Sequence, residues 1–309
     1  SILPTFVRRE VEPFDGLVYS KLRKRSLLSR LAPIIENIKL FHRIPNKTSI
    51  WYYNCTILNV TLIIMLKLLK PSVKQQMIIL DYTPNRKPLE RFFLWLTNRM
   101  NGTIRLADSP LFTVNNSICL PGLVPTDYIQ YPQLTTIKKE FIISGELGNN
   151  IAMLPLLLDA FSQMPELTLH ITGKAPDRDL IEHYTQNYKN IIYHGMVRYV
   201  EYINILHNTP FLLSTRNPHY PENKCNFPSK IIEALLHNRI VVSTLHYPQL
   251  NGIQYFEVAA DKTKLMEDLQ QIVAMSQSNL LRYANQAKEV RRKFSCEVWK
   301  KWMKTIENA

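Results

Sequence analysis

The 309-residue chain lacks the marks of a secreted, membrane-spanning or metal-binding protein. Neither a Cys-x-x-Cys pair nor a histidine-rich spacing predicts a metal site, which favours a reducing compartment. The four cysteines are widely scattered, at Cys55, Cys119, Cys225 and Cys296. Residues 1–4 lack the charged start and apolar core of a secretory signal. The longest apolar stretch, 56–69, contains Asn59 and Lys67 and is too short to cross a bilayer, so we expect a buried helix there.

Zinc-finger and aromatic RNA-binding signatures are also absent, so we expect no nucleic-acid partner. Charge is nevertheless uneven: the first 130 residues hold 18 of the 38 Lys and Arg but 8 of the 25 Asp and Glu. The cationic excess concentrates in residues 8–43, where leucines such as Leu22 and Leu27 interleave with it. A basic amphipathic segment of this kind predicts contact with an anionic membrane surface, and a solvated charged helix is the alternative.

Short apolar runs alternate with helical patterns along the C-terminal half. These runs are 141–145, 167–173, 191–197, 210–214, 240–244 and 254–258. Such alternation predicts an α/β domain with a parallel sheet covered on both faces. Ligands bind such sheets at the carboxyl ends of the strands. The turns at Gly145, Gly173, Gly195, Ser214 and 226–230 all fall at that edge.

Residues 226–244 are typical of a polar turn, a short helix and a buried strand. Pro228 suits the first turn of a helix. Ser229 and Lys230 share that turn, where free backbone N–H groups and the helix dipole favour an anion. Glu233 lies on the same helix face. This arrangement predicts a cradle for a sugar nucleotide, with the diphosphate at the helix N-terminus; an ordinary capped αβ unit is the alternative.

Residues 140–309 resemble the donor-binding half of GT-B glycosyltransferases, in particular glycosyltransferase family 4. The resemblance implies a GT-B architecture, in which two Rossmann-like domains face a cleft. Its motifs follow family order and spacing: Ser144-Gly145, Thr172-Gly173, His194-Gly195-Met196-Val197 and Phe227-Pro228-Ser229-Lys230 with Glu233.

The resemblance also implies a donor site for a nucleotide-diphosphate sugar, with no metal and no separate cofactor. In the family, the segment containing Met196 and Val197 contacts the base. Lys230 and Glu233 are the implied catalytic residues, the first for the leaving diphosphate and the second for donor orientation. The full implied donor set is Gly145, Gly173, Lys174, Met196, Val197, Arg216, Asn226, Ser229, Lys230 and Glu233.

Two positions depart from the family pattern. Many members carry an earlier glutamate where this chain has Cys225, and many carry Arg after the first-strand glycine, where Glu146 stands. Lys174, Arg216 or Lys230 would then supply the cation. These departures leave two alternatives open: a non-catalytic partner with the same fold, and a nucleotide-sugar epimerase-like enzyme.

The N-terminal half shows the same alternation, which predicts a second, acceptor-side Rossmann-like domain over residues 1–130. Its first strand and glycine-rich turn are not evident, which predicts a truncated start. Asp81, at the carboxyl end of a strand, is a candidate catalytic base, with a turn-forming role as the alternative. His42 is a second candidate base, with a surface position as the equal alternative. The predicted elements are strands 49–54, 76–82, 103–107 and 117–122 and helices 56–70 and 89–100.

A polar linker over 124–139 is expected to join this domain to a donor-binding domain over 131–290. A helix over 283–306 is predicted, and its end, 291–309, is expected to pack back on the N-terminal domain, with core packing as the alternative. The pair Asp177 and Asp179 matches a metal-binding pattern of the other glycosyltransferase fold, but capping of the next helix explains it better.

The combined prediction is a metal-independent, hexosyltransferase-type enzyme that moves a sugar to a glycan or lipid-linked hydroxyl acceptor. We expect it to act in cell-surface polysaccharide biosynthesis, in the cytoplasm or peripherally on the inner face of a bacterial membrane.

Overall fold

The structure is a computed structural model that describes residues 5–7, 19–21, 27–80, 82, 87–109, 114, 116–124 and 131–308. Asp81 and most of the basic segment before residue 27 therefore lie outside the described residues. The elements of the first half, in chain order, are β1 (Thr5–Val7), β2 (Tyr19–Lys21), α1 (Leu27–Arg43), β3 (Ser49–Tyr53), α2 (Val60–Leu69), β4 (Lys74–Ile79), α3 (Pro88–Thr97), β5 (Gly102–Arg105) and β6 (Ser117–Cys119).

The second half begins with β7 (Glu140–Glu146), α4 (Asn149–Ala152), α5 (Leu154–Ser162), β8 (Thr168–Lys174), α6 (Arg178–Asn187), β9 (Ile191–Gly195), α7 (Tyr199–Asn208) and β10 (Phe211–Ser214). It continues with α8 (Pro221–Cys225), α9 (Ser229–Leu236), β11 (Ile240–Ser243), a 3-10 turn (Pro248–Leu250), β12 (Phe256–Glu257), α10 (Lys262–Ala274), α11 (Gln277–Tyr283), α12 (Ala287–Phe294) and α13 (Cys296–Asn308). The predicted strands of both halves are confirmed.

The first half forms a parallel sheet in the order β3-β4-β5-β6. Residues from α1, α2 and α3 form one buried cluster with β3 and β4. The predicted buried helix is confirmed as α2, which turns Leu62, Ile63 and Leu66 inward. A second cluster, which includes Trp299 and Ile306 of α13, covers β5.

The second half forms a parallel sheet in the order β9-β8-β7-β10-β11-β12. Numbered along the chain, this is the doubly wound order 3-2-1-4-5-6 of the Rossmann fold. Both faces are covered, because the central strands carry side chains such as Phe141, Ile142, Val241 and Val242 that are fully buried on alternate sides. The order reverses between β7 and β10, and a ligand crevice is expected at that point.

The segment 283–306, predicted to be helical, is divided between separate helices. The chain breaks after Tyr283 and again at Ser295, whose ψ of 159° is extended. Ser295 forms an isolated parallel bridge with Val124, and the Val124 N–H donates to the Phe294 carbonyl at 2.8 Å. A backbone contact from the first residue of the predicted linker therefore lies at the point where one helix ends and the next begins.

Helix α13 lies against the first sheet. The Trp51 Nε1–H donates to Glu307 Oε1 at 2.6 Å, and Lys74 Nζ donates to the Glu307 carbonyl at 2.8 Å. A Cβ on Gly102 would lie 2.2 Å from Ile306 Cγ2, so only glycine permits this approach. Among the described helices, none is long and apolar enough to span a bilayer.

Candidate functional site

A cavity of about 520 Å³ opens at the switch point of the second sheet. Its walls come from the carboxyl ends of β7 and β10 and from the segment that joins α8 to α9. Four charged side chains line it: Glu146, Arg216, Glu222 and Lys230. The cavity thus lies where the fold alone places a ligand, and it presents both cations and carboxylates.

Glycines shape the strand edge at this cavity. Gly145 and Gly173 are paired across β7 and β8, with φ of 112° and 125°. A Cβ on Gly173 would lie 2.0 Å from the Gly145 carbonyl oxygen, whereas a Cβ on Gly145 would meet nothing within 4 Å. Gly145 lines the cavity. Gly173 does not line it, but its lack of a side chain allows the ends of β7 and β8 to lie close together.

The N-terminus of α9 forms the opposite wall. Pro228 is the N-cap, with extended backbone, and Ser229 and Lys230 are the first two helical residues. At these positions the backbone N–H groups have no partner within the helix, and the helix dipole is positive. An anion in the cavity therefore meets a helix N-terminus and the Lys230 ammonium together.

Lys230 and Glu233 form an ion pair. Lys230 Nζ lies 2.6 Å from Glu233 Oε2 and 4.1 Å from the centroid of the Tyr202 ring. Burial, followed by the nearby Glu233 carboxylate, raises the pKa of Tyr202 above its usual range, so this phenol stays neutral. The lysine side chain is consequently held over an aromatic surface at the cavity rim.

Arg216 is the second cation of the cavity. Its N–H donates to Thr244 Oγ1 at 2.7 Å, and the Thr244 hydroxyl donates back to the Arg216 carbonyl at 2.7 Å. Its Nη1 approaches Asn223 Oδ1 at 3.4 Å. This anchoring of the backbone to the end of β11 fixes the root of the guanidinium on the cavity wall.

The segment between α8 and α9 also touches the first half of the chain. The Tyr82 N–H donates to Asn226 Oδ1 at 2.7 Å. Cys225 is buried in the cluster of the first sheet, and its Sγ lies 3.5 Å from Ser109 Oγ. Cys225, at the position of the family's first glutamate, therefore faces away from the cavity. Glu222 of the same helix lines the cavity instead.

A second cavity of about 260 Å³ lies along the outer face of α9. Its lining includes Ser229, Glu233 and His237, one helical turn apart, together with Tyr131 and Tyr199. Tyr131 and His237 stack with their ring centroids 3.7 Å apart. Burial, with Glu233 second, raises the pKa of Tyr199 to about 12. Glu233 thus faces an aromatic recess beside the switch-point cavity.

The structure brings together half of the ten donor residues that the resemblance implied. The five that line the switch-point cavity are Gly145, Arg216, Asn226, Ser229 and Lys230. Glu233 lines the adjacent recess. Gly173, Lys174, Met196 and Val197 line neither of these two cavities; Met196 is 79% exposed, and Val197 packs against the buried cluster around α9. His42 lies in the last turn of α1 and lines neither cavity.

Sequence reasoning missed several lining residues, notably Glu222, Asn223, Tyr131 and His237. His237 could have been found from its spacing, because it lies four residues after Glu233 on the same face of α9. Glu222 and Asn223 of α8, and Tyr131, carry no such signal, and only the fold brings them to the site. The capping interpretation of Asp177 is confirmed, since its side chain accepts from the Leu180 N–H at 3.0 Å.

A third cavity, of about 200 Å³, lies in the first half at the carboxyl ends of β3 and β4. Asn54, Cys55 and Tyr82 line one side, and Glu90 and Phe93 of α3 line the other. Burial raises the pKa of the Cys55 thiol to about 12, so it remains protonated and is a poor nucleophile at neutral pH.

No family model and no curated protein matches this sequence. Several solved structures, in contrast, are similar to the structure of this chain. Sucrose-phosphate synthase from Thermosynechococcus elongatus is 13% identical with a TM-score of 0.65, over 95% of this chain and 80% of its own. HepE from Anabaena, in complex with UDP-glucose, is 15% identical with a TM-score of 0.66, over 95% and 86%. UDP-GlcNAc 2-epimerase from Methanocaldococcus jannaschii is 10% identical with a TM-score of 0.53, over 89% and 84%.

At these identities the likeness establishes the fold and not the reaction. The chain adopts the GT-B fold, in which two Rossmann-like domains face a cleft, as the sequence predicted.

Proposed function

We propose that this protein transfers a sugar from a nucleotide-diphosphate donor to a hydroxyl acceptor. The observation that carries the proposal is the switch-point cavity, where the α9 N-terminus, Lys230 and Arg216 converge. A diphosphate leaving group gains negative charge as it departs, and fixed positive groups at that point stabilise the transition state. HepE, whose structure contains UDP-glucose, matches this chain over 95% of its length and supports the same ligand class.

In this proposal, Lys230 and the N–H groups of Ser229 and Lys230 bind the diphosphate, and Arg216 supplies further positive charge. Glu233 orients the donor by accepting hydrogen bonds from its hydroxyls, because its carboxylate faces both Lys230 and the adjacent aromatic recess. The helix N-terminus and the cations supply the charge that a metal provides elsewhere, so transfer requires no added metal.

The acceptor is proposed to be a glycan or a lipid-linked glycan of cell-surface polysaccharide biosynthesis, used at the cytoplasmic face of a bacterial membrane. The cationic excess of the first 130 residues supports this assignment. Asp81 is the proposed base. We call the segment 226–228, between α8 and α9, the donor loop. The residue after Asp81, Tyr82, donates its backbone N–H to Asn226 of the donor loop and lines the cavity of the first half.

A non-catalytic GT-B partner is the second candidate, and one observation favours it. Glu146 and Glu222 line the cavity beside its two cations and weaken its attraction for a diphosphate. Such a protein would bind a nucleotide without turnover. An epimerase-like enzyme would instead change the donor in the absence of any acceptor.

The test is a melting-temperature panel with UDP, GDP, ADP, CMP and TDP in the presence of a chelator. A ligand that binds only the folded state stabilises it by about 2.7 kcal/mol at a hundred times its Kd. We expect one nucleotide to raise the melting temperature, and Lys230→Ala to remove the rise. If none of the five does so, the donor site is refuted. Product analysis with the active nucleotide sugar, with and without acceptor, then separates transfer from isomerisation.

A matched control exists in Lys262. Like Lys230, it lies in the first turn of a helix, is 37% exposed against 38%, and pairs with a carboxylate, Asp159. It belongs to α10, outside both donor-side cavities. Lys262→Ala is expected to retain the full nucleotide-induced rise.

A further inference from the structure

Helix α3 exposes its large apolar side chains. Leu89, Phe92 and Trp95 recur every three residues along one face and are 50%, 38% and 48% exposed. Leu96 and Thr97 face inward and are buried. A surface helix of a globular protein normally presents its polar face to solvent, so this helix has apolar surface on both sides. We call Leu89, Phe92 and Trp95 the α3 face.

Ring contacts hold the aromatic side chains of the α3 face, and one hydrogen bond links the end of α2 to the residues after α3. Phe92 and Trp95 stack with centroids 5.8 Å apart, and the Arg99 guanidinium lies 3.8 Å above the Trp95 ring. Lys67 Nζ donates to the Arg99 carbonyl and so joins the end of α2 to the end of α3. The next residues of α2, Leu68 and Leu69, are 74% and 65% exposed. Scattered exposed leucines are ordinary, but a leucine and two aromatic side chains grouped on one helix face mark an interaction surface.

Cations frame the α3 face. Lys87 precedes the helix, Arg91 lies beside Phe92, and Arg99 follows the last turn; all three are exposed. The acid of this helix, Glu90, turns back to accept from the Lys87 N–H at 3.2 Å and lines the cavity on the inner side. Leu, Phe and Trp flanked by Lys and Arg have the chemistry of a helix that lies in the headgroup region of an anionic bilayer.

We propose that the α3 face docks this protein on an anionic lipid bilayer. The apolar side chains enter the headgroup region, and Lys87, Arg91 and Arg99 contact lipid phosphates. The proposal deepens the lipid-linked acceptor and rests on the proposed function only in that respect, since docking itself needs no nucleotide.

Docking by α3 places the bilayer beside the cavity of the first half. The inner side of the same helix, including Phe93 and Leu94, lines that cavity, and an α-helix is only about 10 Å across. A lipid-linked acceptor would therefore travel a short distance from the headgroup layer to a recess that Tyr82 joins to the donor loop.

The experiment measures sedimentation of the full chain with phosphatidylcholine vesicles and with vesicles of mixed phosphatidylcholine and phosphatidylglycerol. We expect binding to the anionic vesicles that weakens with salt. The double variant F92S/W95S is expected to lower the partition coefficient about tenfold or more, because both side chains lose apolar area that the bilayer buries. The control variant I192S/V200S removes exposed apolar side chains from the second half and is expected to bind like the unaltered chain.

Equal vesicle binding by F92S/W95S and the unaltered chain would overturn the proposal, as would absence of binding to anionic vesicles. Light scattering without lipid gives an independent readout: a dimer that F92S/W95S dissociates would assign the face to a second copy of the chain and overturn the lipid assignment. Failure of the nucleotide-induced melting shift with intact vesicle binding would remove the donor site and leave the α3 face standing.

Discussion

Replacement of Lys230 by alanine gives the sharpest test of the donor site. Its Nζ lies 2.6 Å from Glu233 Oε2 and 4.1 Å from the Tyr202 ring, so it is already held in place at the cavity rim. A hydrogen bond to a charged group contributes about 1.5–3 kcal/mol, which corresponds to a loss of roughly 10- to 150-fold in kcat/KM. The Glu233 carboxylate left without its partner repels a diphosphate, so we expect the loss to fall in the upper part of that range.

The same substitution should change stability little. The pair is partly exposed, at 38% for the Lys230 side chain and 21% for Glu233, and such pairs contribute about 0–1 kcal/mol. Lys262→Ala removes a comparable ion pair on α10 and should leave kcat/KM unchanged. Far-UV circular dichroism and the melting temperature confirm that both variants are folded before their rates are compared.

The assay is initial-rate kinetics with the sugar donor whose nucleotide raises the melting temperature. Removal of a group that stabilises the leaving diphosphate lowers kcat. Removal of a group that binds the donor and the transition state equally raises KM and leaves kcat unchanged. An unchanged kcat in Lys230→Ala would refute the leaving-group role. Equal kcat/KM in Lys230→Ala and Lys262→Ala would refute the site.

Three further predictions concern charge, backbone and pH. Glu146→Gln removes a carboxylate from the cavity wall and should tighten binding of the active nucleotide at low salt by roughly two- to tenfold, as measured by calorimetric titration. Glu166→Gln is the control and should not change the affinity, because Glu166 precedes the amino end of β8, away from the cavity. Gly173→Ala forces a Cβ to 2.0 Å from the carbonyl of the paired strand and should lower the free energy of unfolding by about 3 kcal/mol or more, whereas Gly195→Ala, with φ of 73° and open space, should cost about 1–2 kcal/mol in urea unfolding. Burial, with neighbouring histidine and arginine side chains, lowers the pKa of His237 to about 4 from 6.5, so between these pH values the unfolded chain binds a proton that the folded chain does not. The free energy of unfolding should therefore fall as the pH is lowered from 6.5 towards 4, and less steeply in His237→Gln. Parallel plots of this free energy against pH for the two proteins would contradict the prediction.

The second sheet could be predicted from the sequence because its central strands are buried on two faces, whereas strands of the first sheet such as β3 are buried on one face only. A strand such as β11, with Ile240, Val241 and Val242 fully buried, leaves a continuous apolar run that has few other interpretations. The turn at Gly145 follows from the same logic, since a strand that ends in glycine at positive φ marks the ligand edge of a doubly wound sheet.

Two breaks between helices could not be predicted from the sequence. One is caused by a contact with a distant part of the chain, and the other by a local backbone conformation that the residue type does not indicate. Ser295 interrupts the C-terminal helix through its bridge to Val124, more than a hundred residues earlier. Met153 separates α4 from α5 with a φ of 50°, a conformation that methionine does not signal. Periodicity indicates which face of a helix is buried, and neither the bridge at Ser295 nor the backbone conformation of Met153 changes that pattern.

The comparison at position 225 shows where counting residues fails. Counting back from Glu233 puts the family's first glutamate at position 225, where this chain has cysteine. The short helix α8 turns Cys225 into the cluster of the first sheet, while Glu222 lines the cavity. A carboxylate is therefore present at this wall, three residues earlier than the family pattern places one. The side chain of α8 that faces the cavity is therefore set by how this short helix is oriented, and residue spacing alone does not predict it.

The segment from Glu222 to Lys230 belongs to the second half of the chain but also contacts the first half. Its ends line the switch-point cavity, and between them Cys225 packs into the first sheet while Asn226 accepts from Tyr82. A ligand that orders the α9 N-terminus therefore acts on residues that also hold the first sheet, and a group bound beside Tyr82 acts on the donor loop in return. Linkage requires such effects on binding to be equal in both directions, so a donor that tightens acceptor binding must itself be bound more tightly when the acceptor is present.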